Sequence, residues 1–148
     1  MKKESIAILS LLLIYFVFST AIFLTWHCKG QYPITGDEPH YLVMASGIAR
    51  HAVFEQTIPY KEEFKTKSIY KPGLGPSGAD PSPQNAHVVQ GPHGLFNIHN
   101  LGLPLALSLP FLLGGVVGAK LFMIIIGGLA IVATWKIAGT FATCPHTR

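Results

Sequence analysis

Asp37 and Glu38 form an adjacent acidic pair in the segment GDEPHYL, at the start of an apolar-periodic run. A carboxylate can act as a general base toward an acceptor hydroxyl, or it can hold a divalent cation against a phosphate leaving group. Helix capping competes with both roles, since Asp37 could accept a hydrogen bond from the amide of His40 and Pro39 suits a first helical turn. Both interpretations stay open, although capping accounts for only one of the two carboxylates.

Six of the seven histidines lie between His27 and Asn100. They show no metal-ligand spacing such as two histidines one helical turn apart, so most of them are better explained as surface or hydrogen-bonded residues, and Asp37 or Glu38 stays the candidate for a metal ligand. Among the histidines, His99 is the one we retain, because it stands at the start of an apolar segment on the same side as Asp37.

The glycine pattern does not predict a nucleotide-binding site, and the distribution of charge does not predict nucleic-acid binding. Glycines at 73, 75 and 78 spell G-x-G-x-x-G, but no strand precedes them and Pro76 interrupts the helix start that a pyrophosphate would need. The net charge of +4 does not reside in the polar region, where six basic residues meet six acidic ones. We therefore expect no nucleotide cofactor and no nucleic-acid partner.

The composition is typical of a membrane protein, since 49% of residues are apolar and only 12% are charged. The candidate site residues would therefore be held in place by membrane-spanning helices. Residues 1–27 hold the N-terminus and an uncharged run of 21 residues, IAILSLLLIYFVFSTAIFLTW, which can cross a hydrocarbon core of roughly 30 Å. The run is too long for a typical cleaved signal core. Lys2 and Lys3 predict a cytoplasmic N-terminus in the plasma (inner) membrane.

Residues 28–100 are predicted to form a long outer loop. Within it, residues 37–54 show an apolar face typical of an amphipathic helix lying in the membrane interface, and an ordinary helix packed on a small soluble core is the alternative. The mixed charges of residues 54–70 predict a solvated irregular segment. Five prolines and five glycines predict irregular structure for residues 72–94.

Two further transmembrane helices are predicted, at residues 101–118 and 119–140, followed by a tail at 141–148. Lys120 between them predicts a second cytoplasmic turn. Gly114 with Gly118, and Gly127 with Gly128, offer small surfaces for close helix packing, or glycines that only line a turn. The expected fold is thus an all-α membrane protein with about three transmembrane helices. Cys28 and Cys144 would lie on the outer side, but two cysteines without a framework do not predict a disulfide.

Two segments together resemble a known family. A first span, then GDEPHY opening a helix (residues 36–41), a long outer loop, and then LFNIH (residues 95–99) and GLP (residues 102–104) opening the next span resemble the integral-membrane glycosyltransferases of the C fold class. That class includes the protein O-mannosyltransferases and the aminoarabinose transferases acting on lipid A. Its members are much longer, so the resemblance covers only the N-terminal part of such an enzyme.

The resemblance implies an activity and its residues. It implies transfer of a sugar from a polyprenyl-phosphate donor to an acceptor on the outer face, with Asp37 as base or metal ligand and Glu38 beside it. His40, Tyr41 and His99 would contact the substrate, and a divalent metal ion is a candidate cofactor. Because most helices of such an enzyme are missing, we expect little or no transfer by this chain alone. The alternative is a small non-enzymatic membrane protein whose outer loop binds a partner.

Overall fold

The computed structural model describes residues 2–30, 34 and 36–142. This part of the chain is mostly helical, with 66% helix. Its elements are, in order, α1 (Lys2–Cys28), α2 (Glu38–His51), α3 (Thr57–Thr66), β1 (Val88–Gly91), β2 (Gly94–Asn97) and α4 (Gly102–Ala142). Cys144 and most of the predicted tail lie outside the described residues.

The chain divides into two compact units. We call one the helix-pair unit; its described part is residues 2–30, which include α1, and residues 121–142 of α4. The other, which we call the site unit, comprises the described residues between 34 and 120, and therefore includes residues 102–120 of α4. Every candidate site residue lies in the site unit.

The helix-pair unit is held by close contacts to the ring residues of α1. The hydroxyl of Tyr15 donates a hydrogen bond to the carbonyl of Ile124 at 3.0 Å. A Cβ added at Gly127 would collide with the hydroxyl of Tyr15, and one at Gly128 would lie 2.5 Å from the ring of Phe16. The prediction that Gly127 and Gly128 form a small surface for helix packing is confirmed.

Two helical stretches, Ser5–Cys28 and Gly102–Phe141, are long and apolar enough to cross a membrane. Large apolar side chains are exposed along both, including Leu13 at 66% and Leu129 at 59%. Such side chains are unfavourable in water and suit a hydrocarbon environment. By length and composition, two membrane-crossing stretches are therefore supported, whereas three crossings were predicted.

α4 combines the two later predicted helices, with a sharp break between them. The backbone leaves the helical conformation at Gly114 and Gly115, and Gly115 has φ 57° and ψ −142°, a conformation that glycine tolerates and other residues rarely adopt. A Cβ at Gly118 would collide with the carbonyl of Pro110, although these residues would be about 12 Å apart along a straight helix. The chain thus turns back on itself at these glycines.

α2 differs from the predicted interfacial helix. Its six consecutive residues 42–47 are all buried, so the helix is packed on all sides over this stretch instead of exposing an apolar face. The approach to α3 is close, because a Cβ at Gly47 would lie 2.6 Å from the Cγ of Pro59. The alternative interpretation, a helix packed in a small core, matches the structure.

The segment predicted to be irregular and solvated contains α3. Its residues Tyr60 and Phe64 are fully buried, and Glu63 is 2% exposed. The Glu63 carboxylate compensates for its burial by accepting hydrogen bonds from the hydroxyl of Ser68 and from the amides of Ile69 and Tyr70, at 2.7–3.1 Å. The charged side chain of Glu63 is therefore buried and holds the backbone that follows α3 in place, and the prediction of a solvated segment was wrong.

β1 and β2 form an antiparallel hairpin with Val88 paired to Asn97 and Gly91 paired to Gly94. β1 lies within residues 72–94, which were predicted to be irregular. The Glu55 carboxylate binds the hairpin by accepting a hydrogen bond from the amide of Leu95 at 2.8 Å. It also accepts hydrogen bonds from the amide of Thr57 at 3.0 Å and from the Thr57 hydroxyl. Burial on its own would raise the pKa of Glu55, but these hydrogen bonds outweigh it and lower the pKa.

Candidate metal and substrate site

Asp37 precedes α2, and its side chain does not cap the helix. Its backbone carbonyl instead accepts hydrogen bonds from the amides of His40 at 3.0 Å and Tyr41 at 3.2 Å. The carboxylate is 57% exposed. The capping role considered for this carboxylate is thus absent, and the group is available for chemistry.

The hairpin brings two histidines to the same place from positions twelve residues apart. His87 directly precedes β1 and His99 follows β2 by two residues. The amide of Ile98 donates to the carbonyl of His87 at 3.3 Å, which continues the strand pairing beyond Val88 and Asn97. His87 Nδ1 and His99 Nε2 consequently lie 3.4 Å apart.

Asp37, His87 and His99 form a triangle of potential ligand atoms. Asp37 Oδ1 lies 3.8 Å from His87 Nδ1 and 3.9 Å from His99 Nε2. Among the described residues these three form the group whose ligand atoms all lie within 4.8 Å of one another. One carboxylate and two imidazoles are a donor set suited to a divalent metal ion.

His40 packs against this triangle without belonging to it. Its ring is stacked on that of His87, with centroids 3.7 Å apart and planes 12° apart, and its Nδ1 is hydrogen-bonded to the hydroxyl of Tyr60 at 2.7 Å. Burial, followed by the proximity of His87 and His99, lowers the pKa of His40 to about 4. The ring is therefore neutral near pH 7. Burial also raises the pKa of Tyr60, so its hydroxyl stays protonated.

The remaining predicted site residues divide into two groups. The ring of Tyr41 lies 4.8 Å from that of His99, so Tyr41 belongs to the cluster together with Asp37, His40 and His99. Glu38 does not, because its Oε1 lies 3.0 Å from the Nζ of Lys120 in an ion pair. The structure thus separates the two members of the acidic pair.

His87 and Tyr60 are the residues that sequence reasoning missed. A signal for His87 existed in VVQG-PH-GLFN, two short strand-like runs separated by two residues and flanked by glycines, which is a hairpin pattern. Extending that pairing by one residue brings His87 close to His99. For Tyr60 the signal was weaker: Tyr60, Glu63 and Phe64 share one face of α3, but the charges around them masked the helix.

No protein-family model, curated protein or solved structure matches this chain significantly. The structure brings four residues from the segments 36–41 and 95–99 into one cluster, namely Asp37, His40, Tyr41 and His99.

Proposed function

We propose that this chain is the N-terminal part of a membrane glycosyltransferase that takes a sugar from a polyprenyl-phosphate donor and transfers it to an acceptor on the outer face. The observation that carries the proposal is the exposed carboxylate of Asp37 beside His99. These residues come from the two segments on which the resemblance rests, about sixty positions apart in the chain.

The cluster has the chemistry that such a site requires. An exposed carboxylate can accept a proton from an acceptor hydroxyl or bind a metal that stabilises a leaving phosphate. The ring of Tyr41, which is partly exposed, lies beside His99 and offers a flat surface for a sugar. His40 is 7% exposed and stacked on His87, so it would support the site from behind, and as a neutral ring it adds no positive charge. Glu38, paired with Lys120, has a structural role in this account.

For the membrane arrangement we propose two crossings, by α1 and by residues 121–142, with the loop that carries the candidate site on the outer side and the start of α1 and the end of α4 in the cytoplasm. The ion pair of Glu38 with Lys120 supports this arrangement, since it joins Lys120 to the loop side, whereas the predicted cytoplasmic turn would separate them by a bilayer of roughly 30 Å. Lys136 then lies near the cytoplasmic end, as the positive-inside bias favours.

Residues 102–113 then lie in the outer interface. At roughly 18 Å of helix they are too short to span the hydrocarbon core. One face carries the exposed side chains of Leu105, Leu109 and Leu112, and the other carries the buried Leu107 and Phe111. This stretch, instead of α2, takes the role of the interfacial helix and would hold the lipid chain of the donor near Asp37.

Donor binding tests the proposal on the chain itself. The 148-residue protein is reconstituted into nanodiscs, and binding of a polyprenyl-phosphate sugar is compared with binding of the corresponding polyprenol. We expect the phosphate-bearing lipid to bind at least about tenfold more tightly, a difference of about 1.4 kcal/mol. Equal affinities would contradict the proposal, because they would reduce the interaction to lipid partitioning.

Transfer by the purified chain is a second readout. Because the proposal concerns only the N-terminal part of such an enzyme, we expect no detectable transfer to an acceptor by these 148 residues alone. Detectable transfer would contradict the proposal that this is only the N-terminal part of the active enzyme, while leaving the enzyme class intact.

A further inference from the structure

We propose that Asp37, His87 and His99 bind one divalent transition-metal ion of the zinc class. The inference comes from the distances among three side chains, one of which, His87, belongs to neither segment that resembles the glycosyltransferases. It is independent of which reaction the protein performs.

The size of the triangle fits a metal ion. With sides of 3.4, 3.8 and 3.9 Å, the point equidistant from the three ligand atoms lies about 2.1 Å from each, and zinc–nitrogen and zinc–oxygen bonds are about 2.0–2.2 Å long. A contraction by a few tenths of an ångström would lift the ion out of the plane of the three atoms. The three ligand atoms would then occupy three corners of a tetrahedron around the ion, and the fourth corner would be free.

The ligand types select the class of ion. Two imidazole nitrogens favour zinc and its transition-metal neighbours, while magnesium and calcium prefer sites made of oxygen ligands. A single carboxylate also leaves a net positive charge on the bound centre, which suits an anionic fourth ligand. Asp37 and His87 are both about half exposed, so that fourth position opens to solvent.

The surroundings hold the ligands in place. The paired backbone at Ile98 and His87 fixes the two histidines relative to each other, and the amide of His99 donates to Asn97 Oδ1 at 2.9 Å. His40 is a positioning residue, because its stacked ring and its hydrogen bond to Tyr60 restrict the ring of His87. Such outer-shell partners typically change metal affinity by 10- to 100-fold.

The open position can take an oxygen of a phosphate group. If the protein uses a polyprenyl-phosphate donor, that oxygen belongs to the leaving phosphate, and the ion would stabilise its negative charge. This last step rests on the proposed function; binding of the metal alone does not.

Metal titration in the absence of any lipid donor tests the inference. The protein is purified without a histidine tag, stripped with a chelator and titrated in nanodiscs with Co²⁺, whose visible absorption reports ligand geometry, and then with Zn²⁺ in competition. A Cys28→Ser background removes the exposed thiol of the described residues. We expect one ion per chain and retention of binding in that background.

Two variants with matched chemistry decide the outcome. His87→Gln should weaken binding by at least about 100-fold, since it removes a direct ligand where loss of an outer-shell partner alone costs 10- to 100-fold. His93→Gln changes an exposed histidine in the hairpin turn and should leave affinity unchanged. Equal effects of the two variants, or no 1:1 binding, would overturn the inference.

Thermal unfolding separates ligand loss from misfolding. Zinc should raise the unfolding temperature of the parent and of His93→Gln, because an ion that binds only the folded state stabilises it. His87→Gln should unfold cooperatively without that rise. A zinc-induced rise of equal size in His87→Gln would overturn the assignment of His87, whatever the outcome of the donor-binding experiment.

Discussion

Asp37 and Glu38 are adjacent in the chain, but their carboxylates have different partners in the structure. Asp37 makes no capping bond and faces two imidazoles, while Glu38 pairs with Lys120. Sequence could identify Asp37 and His99, because each stands beside a recognisable helix start. Sequence could not assign different roles to Asp37 and Glu38, because the role of Glu38 depends on its ion pair with Lys120, more than eighty positions away.

Tyr60→Phe tests the buried hydrogen bond between Tyr60 and His40. The substitution keeps the buried ring but removes the hydroxyl that is bonded to His40 Nδ1 at 2.7 Å, leaving a buried polar nitrogen without its partner. We expect the free energy of unfolding of the site unit to fall by about 1–3 kcal/mol, measured by denaturant unfolding in detergent.

Tyr41→Phe is the matched control. Its ring contacts His99, and its hydroxyl makes no hydrogen bond to another described residue, so its loss should change stability by less than about 0.5 kcal/mol. If both variants were equally stable, the Tyr60–His40 hydrogen bond would carry no weight in positioning the site.

At the scale of elements, prediction succeeded where one segment determines its own structure. α1 follows from an uninterrupted apolar run, and the start of α2 follows from the proline in its first turn. The burial of α2 on all sides was missed because its neighbour α3 was hidden among charged residues. Those charges are structural: Glu55 and Glu63 bind backbone amides, which no local pattern reveals.

Glu55→Gln tests whether the ionised carboxylate of Glu55 stabilises the hairpin. Because the pKa of Glu55 is lowered in the folded protein, its carboxylate contributes stability that is fully present above the unfolded pKa of about 4.3. That contribution is lost as pH falls through the folded pKa. The variant should be about 1–3 kcal/mol less stable at pH 7, and the difference from the parent should shrink below about pH 4.

Asp80→Asn provides the control for this pH experiment. Asp80 pairs with Lys61 at 2.6 Å, but its side chain is 80% exposed, and exposed pairs contribute less than about 1 kcal/mol. A stability difference for Glu55→Gln that stays constant from pH 7 down to pH 3 would show that the ionised carboxylate does not hold the hairpin.

Our proposal of two crossings depends on the break in α4 and on the position of Lys120. Hydropathy alone divides residues 101–140 into two spans, because it registers apolar length and not direction. The reversal at Gly114 and Gly115 and the contact of Lys120 with Glu38 are tertiary features. In the proposed arrangement they move the residues that follow Lys120 to the opposite side from the one that hydropathy predicts.

Thr140→Cys distinguishes two crossings from three. In a background without other cysteines, a membrane-impermeant maleimide added to intact cells should leave this position unlabelled, since two crossings place it in the cytoplasm. Asp80→Cys, in the exposed loop, is the external control and should be labelled. Labelling of Thr140→Cys from outside would restore the three-span arrangement.

X-ray absorption spectroscopy of the zinc-loaded protein tests directly whether Asp37, His87 and His99 bind the ion. We predict nitrogen and oxygen ligands at about 2.0–2.1 Å, with outer-shell scattering from two imidazoles that falls to one in His87→Gln. Sulfur at about 2.3 Å, or two imidazoles remaining in His87→Gln, would contradict the account.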